Sequence, residues 1–177
     1  MFILKKKKYC GNGEGFTMVE LIITIALLSF GIIGVYSAFS SSIILNYNIS
    51  SRFTAAYLAQ EGLEIMRNMR DNNFINKVAW SSGLTICSSG CQADYKTGTS
   101  AQTAINQLQA YNPNNFLKLN SDGFYGYDTG TNTKFKRKII ITQPSGTDIF
   151  KVNVLVFWDY NGQSFNYETE GYLYNWY

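Results

Sequence analysis

The sequence predicts an α+β fold in which a long N-terminal helix precedes an antiparallel sheet. An apolar stretch without charged residues runs from Leu21 to Ser51, and it continues into a segment with apolar residues at every third or fourth position. Beyond residue 134, apolar and polar residues alternate as they do in half-buried strands. The chain has 177 residues, which is enough for one domain with a hydrophobic core.

The first half of the predicted helix is apolar enough to cross a bilayer. The part from Phe16 to about Phe39 meets the length of ~20 apolar residues that a span needs. Lys5–Lys8 and Glu14 give the first 15 residues a net charge of +3, which equals the formal charge of the whole chain. The positive-inside rule therefore predicts a single-pass protein with a cytoplasmic N-terminus and an extracytoplasmic C-terminal domain.

The second half of the helix predicts contact with a sheet. Its apolar stripe consists of Ala55, Leu58, Ala59, Gly62, Ile65, Met66 and Met69. One face of the strand IFKVNVLVFWDY (149–160) carries Phe150, Val152, Val154, Val156 and Trp158. We expect these two apolar surfaces to meet. Asn161-Gly162 then predicts a tight turn into a returning strand at 164–176.

Between helix and sheet the sequence is polar. It predicts a connecting loop region over 75–133, with a short helix near Ala101–Ala110 and a hairpin near 116–127 that turns at Ser121–Gly123. The expected segments of the chain, in order, are a leader (1–15), a membrane or filament-core helix (16–40), the amphipathic half of that helix (41–74), the connecting region (75–133) and the sheet (134–177).

The junction GEGFTMVEL, residues 13–21, resembles the class III signal of type IV prepilins and type II secretion pseudopilins. An ordinary secretory signal has a small-residue cleavage site after its apolar stretch, which is not found here, and Cys10 precedes the stretch, unlike a lipoprotein cysteine. The resemblance implies that a membrane aspartyl peptidase cuts between Gly15 and Phe16 and methylates the new Phe16 amine. Glu20 then becomes the fifth residue of the mature chain.

The same resemblance implies a pilin-like fold and a structural function. The chain would be a minor subunit of a type IV pilus or type II secretion pseudopilus, assembled helically through its N-terminal helix. Its partners would be the prepilin peptidase, other pilin or pseudopilin subunits, the inner-membrane assembly platform and the lipid bilayer. Its location would be the bacterial cytoplasmic membrane and then the filament. A membrane-tethered extracytoplasmic binding protein that does not polymerise, such as an adhesin or DNA receptor, remains the alternative.

Glu20 is the charge that this interpretation explains. A carboxylate inside a membrane costs a few kcal/mol, so such residues usually have a function. In a filament, the Glu20 carboxylate of one subunit can approach the Phe16 amine of its neighbour, and the attraction is strong in a medium of low dielectric constant. We therefore interpret Glu20 as an assembly charge.

The composition argues against an enzyme, a cofactor or a metal centre. The chain has no histidine, so it lacks the commonest general base and metal ligand. Beyond the leader the formal charges balance, which argues against nucleic acid as a partner. The basic run Lys134, Lys136, Arg137 and Lys138 is accordingly interpreted as a solvated strand face or a lysine-protected edge.

The remaining candidates are two cysteines, two glutamates and a group of aromatic residues. Removal of the leader would take Cys10 with it and leave Cys87 and Cys91 as a candidate disulfide in an oxidising compartment. Glu168 and Glu170 are expected to be exposed charges opposite strand neighbours such as Lys151. The aromatic residues near the C-terminus are expected to pack on the core and the sheet: Tyr172, Tyr174, Trp176 and Tyr177.

Overall fold

The computed structural model describes residues 15–98, 108–145 and 148–176. The elements are α1 (Met18–Ile75), the 3-10 helix η1 (Leu84–Ser89), β1 (Cys91–Gln92), β2 (Gln109–Ala110), β3 (Lys118–Leu119), β4 (Tyr125–Gly126), β5 (Thr131–Asn132), β6 (Lys136–Thr142), β7 (Ile149–Tyr160) and β8 (Gln163–Tyr174). The chain divides into two compact units, one ending at Tyr47 and the other beginning at Asn48.

The strands form two antiparallel sheets. The larger sheet has five strands in the order β2-β1-β6-β7-β8, and the smaller has three in the order β4-β3-β5. A long N-terminal helix followed by antiparallel sheets is the predicted α+β, pilin-like architecture, which is thereby confirmed. The helix begins at Met18 and ends at Ile75.

The hydrophobic core lies between the second half of α1 and the large sheet. Six of the seven stripe residues are buried, and Met69, the seventh, packs against the core from a partly buried position. All five apolar residues predicted on one face of β7 are also buried. The two surfaces meet most closely at Gly62, where an added Cβ atom would lie 2.9 Å from Cγ1 of Val154. A larger side chain there would push the helix and the sheet apart.

The hairpin of β7 and β8 follows the sequence pattern closely. β7 spans the predicted residues 149–160, and its twelve residues pair with β8. Asn161 and Gly162 both have positive φ angles, 50° and 76°, as a two-residue type I′ turn requires.

The connecting region is more ordered than predicted. Two of its segments, β1 and β2, join the large sheet, where Cys91 pairs with Ile139 of β6. The helix expected near Ala101–Ala110 is wrong at its C-terminal end, because Gln109–Ala110 forms a strand; residues 101–107 lie outside the described residues. A pair of two-residue strands carries little periodicity, so the pattern could not reveal them.

The hairpin predicted near 116–127 is confirmed by the pairing of β3 with β4. Its turn depends on Asn120, whose Oδ1 accepts hydrogen bonds from the backbone N–H groups of Asp122 and Phe124. Gly123 has a φ angle of 85°, which favours glycine. The strand β5, which was not predicted, adds to the other side of β3.

Arg137 corrects the interpretation of the basic run. The residue is 0% exposed, and β6 lies between β1 and β7 in the sheet, so it is neither part of a solvated face nor on an edge strand. Alternation along β6 turns Arg137 inward, whereas Lys136 and Lys138 are only partly buried on the opposite face. Lys134 donates a hydrogen bond to Oγ of Ser51 on α1.

The Arg137 guanidinium joins three parts of the domain. It donates to the backbone oxygen of Leu58 at 2.9 Å and to Oε2 of Glu61 at 3.0 Å, both on α1. It also donates to the backbone oxygen of Ala93, which follows β1. A buried cation is tolerated only when it is paired and hydrogen-bonded, as it is here.

Tyr127 completes the surroundings of Arg137. Its hydroxyl group donates to the backbone oxygen of Arg137 at 3.3 Å. Burial raises the pKa of Tyr127 to about 12, against a smaller lowering by the nearby guanidinium. The phenol therefore stays neutral and keeps its donor hydrogen at physiological pH.

Candidate functional site

The start of α1 contains the residues of the predicted processing and assembly site. The backbone oxygen of Thr17 accepts the first hydrogen bond of the helix, from the N–H of Leu21, so Thr17 is the N-cap residue. Its Oγ1 also accepts a hydrogen bond of 3.2 Å from the backbone N–H of Glu20. Gly15 and Phe16 precede the cap and are exposed.

Glu20 thus occupies the third position of the helix, in the pattern Thr-x-x-Glu of a capping box. In the first turn, its negative charge also interacts favourably with the positive end of the helix dipole. The sequence reasoning missed this local role, although a Thr-x-x-Glu pattern before an apolar run is the signal that reveals it. The position of Glu20 therefore favours the start of its own helix, and any test of an assembly role must separate that effect.

Gly15 lies in open surroundings in the described part of the chain. A Cβ atom added to Gly15 would have no atom within 4 Å. The residue also lies outside the positive-φ glycines, where backbone conformation favours the absence of a side chain.

The surface of α1 in the first unit is almost entirely apolar and exposed. Phe16, Phe30 and Phe39 are 79%, 75% and 67% exposed. By length and composition, α1 is the one helix among the described residues that can cross a membrane, with a mean hydropathy of 2.4 in its most apolar window. Such a surface has to be covered by lipid or by other apolar helices.

Three hydroxyl side chains of this segment form hydrogen bonds within the helix. The hydroxyl groups of Thr24, Ser29 and Ser42 donate to backbone oxygens three or four residues earlier, at 2.9, 2.7 and 3.1 Å. Internal bonding of this kind lowers the cost of placing a hydroxyl in hydrocarbon. The acidic residue of the first turn is Glu20.

Cys87 and Cys91 form a disulfide in the structure, with their Cα atoms 4.8 Å apart. Both residues are fully buried, one on η1 and the other at the start of β1. The bond therefore fixes the position from which β1 pairs with β6. Cys10 lies outside the described residues.

We expect alkylation of the native exported protein to modify neither Cys87 nor Cys91 until a reductant is added under denaturing conditions. Because the closed loop is short, replacing both cysteines by serine should lower the free energy of unfolding by about 2 kcal/mol. Mass spectrometry of alkylated peptides and thermal unfolding measure the two effects. Two thiols that react in the denatured, unreduced protein would show that the bond does not form.

The other candidates have structural or surface roles. Lys151 pairs with Glu170 at 2.7 Å, and Asn153 donates to Glu168, so these glutamates are exposed charges opposite strand neighbours, as expected. Trp176 stacks edge-on against Phe74, with ring centroids 5.9 Å apart, although it stays 63% exposed. Among the described residues, no group of three acidic or cysteine side chains could hold a metal ion.

Comparison with known proteins identifies the N-terminal segment. Residues 12–36 match the prokaryotic N-terminal methylation motif. Neither the curated proteins nor the solved structures gave a match to the chain. The matched range contains the cap, Glu20 and the start of the apolar helix, so the chain carries a class III signal of the type IV prepilin and pseudopilin kind.

This signal, at the start of a long helix followed by antiparallel sheets, supports a type IV pilin-like protein. The family to which the motif belongs is structural. The motif implies processing by a prepilin peptidase and assembly with other pilins, and the apolar helix fits anchoring in a membrane.

Proposed function

We propose that this protein is a minor structural subunit of a type IV pilus or a type II secretion pseudopilus. The peptidase removes residues 1–15 and methylates the amine of Phe16, and the mature chain is stored in the membrane until it joins the filament. The observation that carries the proposal is the methylation motif at residues 12–36. It lies at the start of a helix whose surface, within the first unit of the chain, is exposed and apolar.

Storage and assembly follow from the surface of the helix. Residues 16–40 rest in lipid, with the Phe16 end at the cytoplasmic side and the folded domain outside. In a filament, the same surface packs against the helices of neighbouring subunits, which are as apolar as lipid. Transfer between the two environments therefore costs little hydrophobic free energy, so specific contacts determine when and in which register it occurs.

Glu20 and Phe16 supply the specific contact. Cleavage creates an ammonium group one residue before the N-cap, where the positive end of the helix dipole makes a further positive charge unfavourable. The Glu20 carboxylate of an adjacent subunit can neutralise this ammonium group. The inner-membrane assembly platform and other pilin subunits are the partners that this mechanism needs.

Gly15→Val should block processing, because the resemblance to prepilins implies that only a minimal side chain suits the position before the cut. Gly13→Val, two residues earlier, is the matched control and should be processed normally. Immunoblots of membrane fractions compare the precursor and the shorter mature form. If Gly15→Val matures like the wild type, the cut lies elsewhere.

A filament subunit also has to appear with its partners in sheared filament fractions, whereas a non-polymerising tether would stay with the membrane.

A further inference from the structure

The face of the large sheet that turns away from α1 has an ordered distribution of charge. We call it the outer face, and it consists of the alternate residues of β6, β7 and β8 that point away from the core. Its β6 column is basic, with Lys136 and Lys138, and its β8 column is acidic, with Glu168 and Glu170. The β7 column between them is apolar at its centre, where Leu155 and Phe157 are half-buried.

The strand register aligns these residues in rows. Lys138 pairs with Leu155, which pairs with Glu168, so one row across the sheet reads basic, apolar, acidic. Neither Lys136 nor Lys138 has a carboxylate within ion-pair distance in the described parts of the chain. Their ammonium groups instead lie over the rings of Phe116 and Tyr111.

We propose that the outer face binds a second copy of this chain, with the basic column of each copy over the acidic column of the other. A two-fold axis that lies between the sheets and runs parallel to the strands places β6 over the partner's β8 and β7 over the partner's β7. The interface is isologous, and each copy contributes the same residues. Lys138 of each copy then faces Glu168 of the other, on both sides of a central Leu155 contact.

The charge distribution selects this arrangement over the other face-to-face dimer. A two-fold axis perpendicular to the strands would place β6 over β6 and oppose the lysines of both copies. Like charges opposed across an interface cost several kcal/mol, whereas complementary columns fix the orientation. Packed sheets lie ~10 Å apart, a distance that a lysine and a glutamate side chain can bridge together.

The chosen arrangement also tolerates the charges at the ends of β7. It brings Lys151 near its own counterpart, but Lys151 is already paired with Glu170 of the same chain. Aligned sheets cross at about 30°, so the strand ends diverge while the central row stays in contact. Asp159, near the end of β7, is moved away from its counterpart in the same way.

Cross-linking of the full-length chain in detergent tests the proposal. The background carries Cys10→Ser, and Leu155→Cys then provides one free thiol while Cys87 and Cys91 remain joined. A bis-maleimide with a spacer of about 8 Å should link two copies at this position, since the packed sheets leave a gap of that order. The matched control is Ser121→Cys in the exposed hairpin turn, which should give no cross-linked dimer.

Charge exchange then identifies the pairing. Lys138→Glu alone and Glu168→Lys alone should each reduce self-cross-linking at least about tenfold, because each opposes like charges. A mixture of the two variants should cross-link between variants, since both charge pairs are complementary there. The double variant in one chain should cross-link with itself, which also shows that the substituted sheet folds.

The proposal is overturned if Leu155→Cys gives no cross-link while Lys138 and Glu168 are unchanged. It is also overturned if each single charge variant cross-links with itself as efficiently as with the other variant. The same measurement in a Glu20→Ala background separates it from the proposed function. Loss of filaments with intact cross-linking is the expected result, because the outer face and the helix tip are separate surfaces. Loss of cross-linking in that background would show that pairing depends on filament contacts, and it would contradict an interface formed by the outer faces alone.

Discussion

Glu20→Ala is expected to lower the amount of this protein in filaments by about a hundredfold or more. The amount in the membrane should not fall. In an assembled filament, the substitution leaves a neighbour's Phe16 amine in hydrocarbon without its counter-charge, and breaking a buried pair costs about 3–5 kcal/mol. Insertion should not suffer, because the change removes a charge from the span. Immunoblots of sheared filament and membrane fractions measure the distribution.

Two further variants separate the charge of Glu20 from the cap at the start of α1. Glu20→Gln keeps a side chain that suits a capping box but loses the charge, so it should assemble nearly as poorly as Glu20→Ala. Thr17→Ala removes the cap hydrogen bond and keeps the charge, so it should assemble. The opposite pattern, with Glu20→Gln assembling and Thr17→Ala failing, would assign the residue to the helix cap. Counting filaments per cell adds the effect on initiation, which is the step that a subunit at the filament tip would affect.

Glu61→Ala is expected to destabilise the folded domain by about 3 kcal/mol. Removing the glutamate leaves the fully buried Arg137 guanidinium without its carboxylate, and unpaired buried charges carry the largest costs among single substitutions. The estimate takes the low end of the range for buried pairs because the Glu61 side chain is 32% exposed. Thermal unfolding of the detergent-solubilised full chain, followed by tryptophan fluorescence, measures the change.

Two further substitutions separate this pair from a general effect on α1. Glu64→Ala breaks an exposed ion pair with Arg67 on the same helix and should change stability by less than about 1 kcal/mol. Adding Arg137→Met to Glu61→Ala should recover part of the loss, since an apolar side chain can occupy the site without an unpaired charge. Equal effects of Glu61→Ala and Glu64→Ala would show that Arg137 does not depend on the pair.

The parts of the fold that were predicted are those whose signal is local. The alternation along β7, the Asn161-Gly162 turn and the spacing of the α1 stripe each depend on residues close together in sequence, and the structure confirms all three. Arg137 was misjudged because its partner Glu61 is 76 residues away. A basic run by itself predicts a solvated strand. The burial of Arg137 follows only when the strand alternation is considered together with the distant Glu61 carboxylate. The two-residue strands β1 and β2 escaped prediction because pairing, and not periodicity, defines them.

The candidate site divides in the same way. The motif that places Gly15, Phe16 and Glu20 is contiguous, so sequence was sufficient to propose it, and the match at residues 12–36 supports the signal. The cap formed by Thr17 is also encoded locally, in the pattern Thr-x-x-Glu, but the unfavourable charge of Glu20 in an apolar segment is the stronger signal at that position. What Glu20 contacts in a filament depends on a second subunit, which one sequence cannot describe.

N-terminal mass spectrometry of the protein extracted from membranes tests the central claim most directly. The account predicts a mature chain that begins at Phe16 and carries a methyl group on its amine, with Cys10 and Lys5–Lys8 absent. A mature chain that retains Lys5–Lys8, or one that begins beyond residue 40 and has lost the apolar helix, would contradict it.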